Sequence, residues 1–398
     1  MEKHTLHTDI AIIGGGIAGL WALNQLRNGG YSAILFEQKA LGSDQTIGSQ
    51  GMIHGGIKYA LSGVWSGDSH TISAMPAIWR ACLAGTGKVD LRACKILSDD
   101  FYLWSSASLQ SRLTSFFASK MLRGHVEKLK AADYPAPLQA SAFRGQVYRL
   151  IDLVLDVPSL VQTLSNQHRQ AIFSIDWHSA SLRREGDRAT LALPHCTVVP
   201  QRLLLTAGSG NEALISALGG AAPAMQRRPL QQVLVKHRYR ENFFAHCIGG
   251  SPSPRLTISS HRTRADEPVW YLGGDLATEG VDDDPEQLID KARRELNELL
   301  PWIDLGQTQW RTLRLDRAEP RHSALLRPDS AFVGKVDTVD NTLAAWPTKL
   351  ALSPDLADEI QRQLVADNIL PRHQPDLSLL QSMGQPPIAA AYWDTLFQ

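Results

Sequence analysis

A strand that runs straight into a glycine turn and a helix leaves a chain few folds to choose from, and residues 9–37 have that form. The apolar run Ile10 to Ile13 leads into Gly14-x-Gly16-x-x-Gly19. Gly14 permits the tight turn, Gly16 lets the backbone approach a pyrophosphate, and Gly19 lets the helix lie close on the strand. At the helix start, Ile17 and Ala18, unpaired backbone N–H groups and the positive end of the dipole would face a phosphate. Leu20, Leu23 and Leu26 share one helix face, and a second apolar strand, SAILFE, ends in Glu37, placed to accept hydrogen bonds from a ribose. Strand, glycines, helix, strand and acid in this order predict a bound dinucleotide. They do not separate NAD from FAD, which present the same ADP half.

The rest of the composition mainly excludes. Acidic and basic residues balance at 40 each over 398 residues, so no broad field recommends a nucleic acid as partner. Cys82, Cys94, Cys196 and Cys247 lie far apart with no C-x-x-C pair, which disfavours a metal site or a disulfide framework. The polar start MEKHTLHTD gives way at once to the first strand, and no apolar run approaches a membrane span. The expected location is cytoplasmic.

Downstream, the pattern predicts a helix on Ile72, Met75, Ile78, Trp79 and Cys82, then a strand and a helix in KVDLRACKILSDDFYLWS. Residues 109–132 place Leu113, Phe116, Phe117, Met121 and Leu122 among Arg112, Lys120 and Arg123, a basic amphipathic helix. Such a helix covers its own core or lies on a membrane; the second reading would make the protein peripheral to the inner face. Near residue 203 an apolar strand, Leu203 to Leu205, meets Thr206-Ala207-Gly208, a second place where backbone can pass close to a nucleotide. From about residue 228 short β-branched and aromatic runs separated by turns predict an antiparallel sheet. The segment DDDPEQLIDKARRELNELLP then reads as a capped helix ended by Pro301.

With these segments in place, the whole layout resembles the FAD-dependent oxidoreductases of the D-amino-acid-oxidase and glycerol-3-phosphate-dehydrogenase superfamily. IHGGIKYA is similar to the dehydrogenase branch's LHGGLRYL, with Lys58 where that branch has arginine, and WPTKLAL is similar to its YRKLAE. The resemblance implies an α/β fold, with an FAD-binding Rossmann-type (glutathione-reductase-like) domain and an antiparallel β-sheet substrate domain. The expected division is 1–95 with 150–225 and 315–398 for the FAD-binding part, 96–149 as a helical insertion, and 226–314 as the antiparallel sheet.

The resemblance also assigns roles. FAD would be held by Gly14, Gly16, Ile17, Ala18, Gly19, Glu37, Gln38, Ser49, Gln50, Gly51, Ala207, Gly208, Thr348, Lys349 and Leu350. His54 would act as general base or pack on the flavin, since imidazole can take an alcohol or amine proton near neutral pH. Lys349 would place positive charge at the flavin edge that becomes negative on reduction. Arg321 matches the substrate-binding arginine of GLRPxTPDGxPxIG, with Arg317 as the competing candidate; a guanidinium holds a carboxylate or phosphate through parallel hydrogen bonds. Lys58 and Tyr59 follow His54 on its loop and could hold a substrate anion, while His261 reads as structural or pocket-facing. The implied reaction is hydride transfer from a CH–OH or CH–NH group of a small anionic substrate (a hydroxy acid, an amino acid or a glycerol-3-phosphate-like molecule) to FAD. Oxygen, a quinone or a protein would take the electrons. The alternatives are a flavoprotein acting on a modified or polymer-attached group, and a subunit holding FAD structurally.

Overall fold

The computed structural model of the chain describes residues 4–55, 69–106, 126–251, 253–321 and 330–398. The predicted opening is present: strand β1 (His4–Ile13), helix α1 (Ile17–Asn28) and strand β2 (Ala33–Glu37). β1 pairs in parallel with β2 on one side and with Cys196–Leu205 on the other. The sheet continues through Ile172–Ser174 beyond β2 and through Thr342–Trp346 beside Leu203–Leu205.

The unbroken apolar runs that announced these strands are the mark of strands buried on both faces. Ile10 and Ile12 of β1, with Ala33 and Leu35 of β2, face α1 and the helices Ser69–Leu83, Val157–Gln167 and Ser353–Ala366. Ala11 and Ile13, with Ile34 and Phe36, face the opposite core, which holds Ile215 and Leu218. α1 is buried from Ile17 to Leu26, so it serves as a core helix rather than an amphipathic surface one.

A second sheet runs Gln309–Pro320, Met225–Lys236, Pro268–Gly273, Pro254–Arg262, Ala245–Ile248, Phe101–Ser105, Gln146–Leu150 and Val126–Lys128. All its pairings are antiparallel except that of Ala245–Ile248 with Phe101–Ser105. On one face Val233, Val235, Leu256, Ile258 and Trp270 pack on Leu288, Ala292, Leu296 and Leu299 of the helix Pro285–Leu299. Asp284 caps that helix by accepting from the N–H groups of Glu286 and Gln287, each at 3.0 Å.

Two expectations need correction. Residues 96–149 are not a helical insertion in their described part: Ile96–Ser98, Phe101–Ser105, Val126–Lys128 and Gln146–Leu150 are strands. Phe101, Leu103 and Trp104 find cross-strand partners in Leu150, Tyr148 and Val147, so non-local pairing overrides the helical reading. The basic helix assigned to 109–132 falls mostly outside the described residues, and its end, Val126–Lys128, is strand. Among the described residues no helix is long and apolar enough to cross a membrane.

The C-terminal segment straps the molecule. Leu41 bridges to Ile388, and Trp393 packs against Leu234, Val269 and Tyr271 of the second sheet. In the middle of β1, the buried Asp9 gathers the N–H of Ser32 (2.9 Å) and those of Arg372 and His373 (both 3.1 Å), with Gln201 Nε2 at 2.5 Å and Ser32 Oγ at 3.0 Å. Removing this carboxylate strands the buried Gln201 amide and takes the acceptor from several partly buried donors. Asp9→Ala should therefore lower the unfolding free energy by about 2–4 kcal/mol, read as a shift in the urea midpoint of the FAD-loaded protein; a shift within error would show that water replaces the carboxylate.

Candidate active site

A cavity of about 950 Å³ lies between the two large sheets. It begins at the glycine turn, where the end of β1 and the end of Cys196–Leu205 come together. Gly14 has φ of +110°, and a Cβ there would stand 2.6 Å from Ala207 Cα; a Cβ on Gly19 would stand 1.9 Å from Gly14 O. Thr206 closes this junction, its N–H donating to Ile13 O at 2.8 Å and its Oγ1 to Gly14 O at 3.0 Å. Gly14, Gly16, Ile17, Ala18, Ala207 and Gly208 line the cavity, whereas Gly19 works behind it as the packing glycine.

Glu37 is buried and held at both oxygens, accepting from Gly15 N at 2.6 Å and Lys39 N at 2.7 Å. A carboxylate has about four lone-pair sites, so capacity for a ribose hydroxyl remains. Gln38 lines the wall beside it.

Further along the cavity, Ser49, Gln50, Met52 and His54 form one wall. They are set by the short strand Met52–Ile53, which pairs with Leu153–Leu155. Gly51 is needed for that pairing and not for the cavity surface: its φ is +74°, and a Cβ would lie 2.1 Å from Leu155 O. His54 is buried. Trp346, Pro347, Thr348, Lys349 and Leu350 also line the cavity, with Lys349 only 6% exposed despite its charge. Thr348 adopts φ of +61°, an outlier for a β-branched residue and the kind of local strain that collects at functional sites.

The face of the second sheet supplies the remaining wall. His246 lines it, its Nδ1 2.8 Å from Thr257 Oγ1 and its ring tilted against Phe101 with centroids 4.5 Å apart. Arg317 and Arg228, directly opposite one another on paired strands, both line the cavity, whereas Arg321 is exposed and outside it. Arg228 pairs with the fully buried Glu319, which also accepts from Gln226 Nε2 at 2.9 Å. His261 is not on the cavity surface; burial lowers its pKa to about 3, so it is neutral. Lys58 and Tyr59 lie outside the described residues.

A family model described as FAD dependent oxidoreductase (DAO) matches residues 9–343. The chain belongs to this family. It is an FAD-dependent oxidoreductase. A relative from Pseudomonas aeruginosa, the probable FAD-dependent oxidoreductase PA4991, is 47% identical over 393 residues, 98% of this chain and 99% of that one. The crystal structure of PA4991 covers all of both chains with a TM-score of 0.86 and 43% identity. More distant structures share the fold: glycine oxidase from Geobacillus kaustophilus (TM-score 0.65, 16% identity, 93% of this chain and 96% of that one) and FAD-bound L-alpha-glycerophosphate oxidase from Mycoplasma pneumoniae (TM-score 0.62, 12% identity, 98% and 100%).

The residues present fit FAD. A glycine turn closed to a Cβ at Gly14 and Gly19, a helix start, and a buried acid suit its ADP half, and a cavity of this size continues past them. Sequence reasoning missed several wall residues. Thr46 Oγ1 accepts from Ile17 N at 3.0 Å and so braces the helix start; Gln45 accepts from Ala318 N at 3.1 Å; Trp346 Nε1 donates to Gly208 O at 3.0 Å. Gln45 and Thr46 sit in no motif, and Trp346, the first residue of the matched WPTKLAL segment, is given no role by the resemblance. Because Gly14 has backbone rather than a flexible side chain at 2.6 Å, Gly14→Ala should lower FAD affinity by more than about tenfold. The check is the 450 nm absorbance retained after dialysis, and full retention would contradict the close approach.

Proposed function

We propose that this chain oxidises a CH–OH or CH–NH group of a small anionic substrate, with the ADP half of FAD at the glycine turn and the flavin between the His54 and Lys349 segments. The observation that carries the reading is that one cavity is lined at once by the glycine turn, His54, Lys349 and a pair of arginines. Bound FAD supplies the hydride acceptor; the protein's task is to orient the substrate, take a proton and balance charge.

In this reading His54 takes the heteroatom proton, its burial shielding the reacting carbon from bulk water. Lys349 brings a cation to the cavity wall where a flavin gains negative charge, and its near-complete burial makes that charge count for more than it would in water. The substrate anion goes to Arg317 rather than Arg321, because only Arg317 faces the cavity. Glu319 fixes its neighbour Arg228 and offsets the repulsion between the two guanidinium groups. The names of the distant structures, glycine oxidase and glycerophosphate oxidase, span amino-acid and phosphate substrates, and two arginines suit either anion.

Arg317→Ala should raise the apparent substrate constant at least about tenfold while leaving FAD content intact, and Arg321→Ala should change it less than about twofold. These are read by anaerobic flavin bleaching against hydroxy acids, amino acids and glycerol 3-phosphate. Loss of FAD with an unchanged substrate constant would instead put the arginines on the cofactor pyrophosphate. Lys349→Met should lower the two-electron flavin potential by roughly 30 mV for each 1.4 kcal/mol of stabilisation removed; an unaltered potential would withdraw that role.

A further inference from the structure

Gln50 has an orientation that its neighbours decide. Its amide nitrogen donates to the backbone carbonyl of Tyr271 at 2.7 Å and to Ser259 Oγ at 3.1 Å. A backbone carbonyl can only accept, so the NH₂ end must face the sheet and the amide cannot be turned round. The other end, Oε1, lies over Gly273, where a Cβ would stand only 2.9 Å from it. Gln50 and Gly273 both line the cavity, on the same wall segment as Met52 and His54.

The hydrogen-bonded chain continues behind Gln50. Ser259 is fully buried, and its oxygen, which receives the Gln50 N–H, lies 2.9 Å from His261 Nε2. Deep burial keeps His261 neutral. The ring is held by stacking on Trp393, centroids 4.0 Å apart and planes 20° from parallel. Both amide protons of Gln50 therefore point into the sheet, and its acceptor is left beside Gly273 on the cavity wall.

We infer that Gln50 Oε1 is a hydrogen-bond acceptor of the active site, held by Ser259 and His261 as positioning residues, and that it selects ligands carrying an N–H or O–H donor next to their anionic group. This rests on the proposed small-anion site and deepens it. An acceptor presented in a low-dielectric wall favours a ligand that supplies the donor, and one that cannot leaves the oxygen unpaired.

The test uses two non-reacting ring acids of nearly the same shape, pyrrole-2-carboxylate, which has the N–H, and 2-furoate, which has an ether oxygen in its place. Each is titrated into the FAD-loaded full chain while the visible flavin spectrum is followed. Pyrrole-2-carboxylate should bind at least about tenfold tighter than 2-furoate. Gln50→Met should abolish that ratio, whereas Ser259→Ala and His261→Phe, the latter keeping a ring on Trp393, should lower it at least about threefold with the 2-furoate constant unchanged. A purely structural role would move both ligands together. Equal binding of the two acids by the unmodified protein, or a ratio unchanged in the variants, would overturn the inference while leaving the small-anion site standing. Lower FAD affinity in Gln50→Met with an unchanged ratio would also overturn it, by assigning the acceptor to a flavin N–H. Failure of both acids to perturb the flavin would overturn the small-anion reading and this one with it. Should Gln50→Met not retain FAD, the Ser259→Ala and His261→Phe ratios decide.

Discussion

The close approach of two strand ends is the constraint on which the rest of this structure depends. β1 and Cys196–Leu205 run in parallel and finish side by side, so that the Gly14 turn touches Ala207 backbone at a distance that admits no Cβ, with Thr206 bonded across to Gly14. Parallel strands buried on both faces must leave at the same edge of the sheet, and a ligand site at that edge follows from the topology. Because the junction is backbone against backbone, it is rigid where a side-chain contact could relax. It also orients α1, whose start is braced by Thr46, and thereby sets where a phosphate can be met by free backbone donors.

The second sheet turns that edge into an enclosed site. Its apolar face is spent on the helix Pro285–Leu299, while the face toward the cavity carries Thr257, Ser259, His261, Tyr271 and Gln232. Buried polar groups of this kind are tolerated only when each has a partner, and here the partners link the two halves: Gln50 bonds Ser259 and Tyr271 O, Tyr271 Oη donates to Gly48 O at 2.9 Å, and Ala318 N donates to Gln45. The same bonds that satisfy the sheet therefore hold the loop from Gln45 to Gln50 against it. The C-terminal strap reinforces the arrangement by joining Leu41 on one side and stacking Trp393 on the other.

Much of the cavity wall was legible in the sequence because it is built at strand ends and turns. Gly14, Gly16, Glu37 and the Thr206-Ala207-Gly208 turn could be placed because glycine and small residues at strand ends have few other uses, and Lys349 because it follows a strand and precedes a helix in a familiar segment. The choice between Arg317 and Arg321 was not legible. Arg317 lies near the end of the strand Gln309–Pro320 and Arg321 just past it, and which of them meets the cavity depends on how that strand is twisted and paired with Met225–Lys236. Nor could Phe101–Ser105 be recognised as strand, since its partners, Gln146–Leu150 and Ala245–Ile248, are remote in sequence.

By itself, then, the sequence determined the nucleotide-binding frame, because local periodicity and glycine placement act within a few residues of one another and need no distant partner to be read. Only the tertiary structure decided the polar wall. Whether Gln50 offers its nitrogen or its oxygen to the cavity is settled by Tyr271 and Ser259, more than two hundred positions away in the chain and brought to it by sheet packing. Amide orientation and the facing of Arg317 are properties of contacts between segments, and a single segment carries no signal for them.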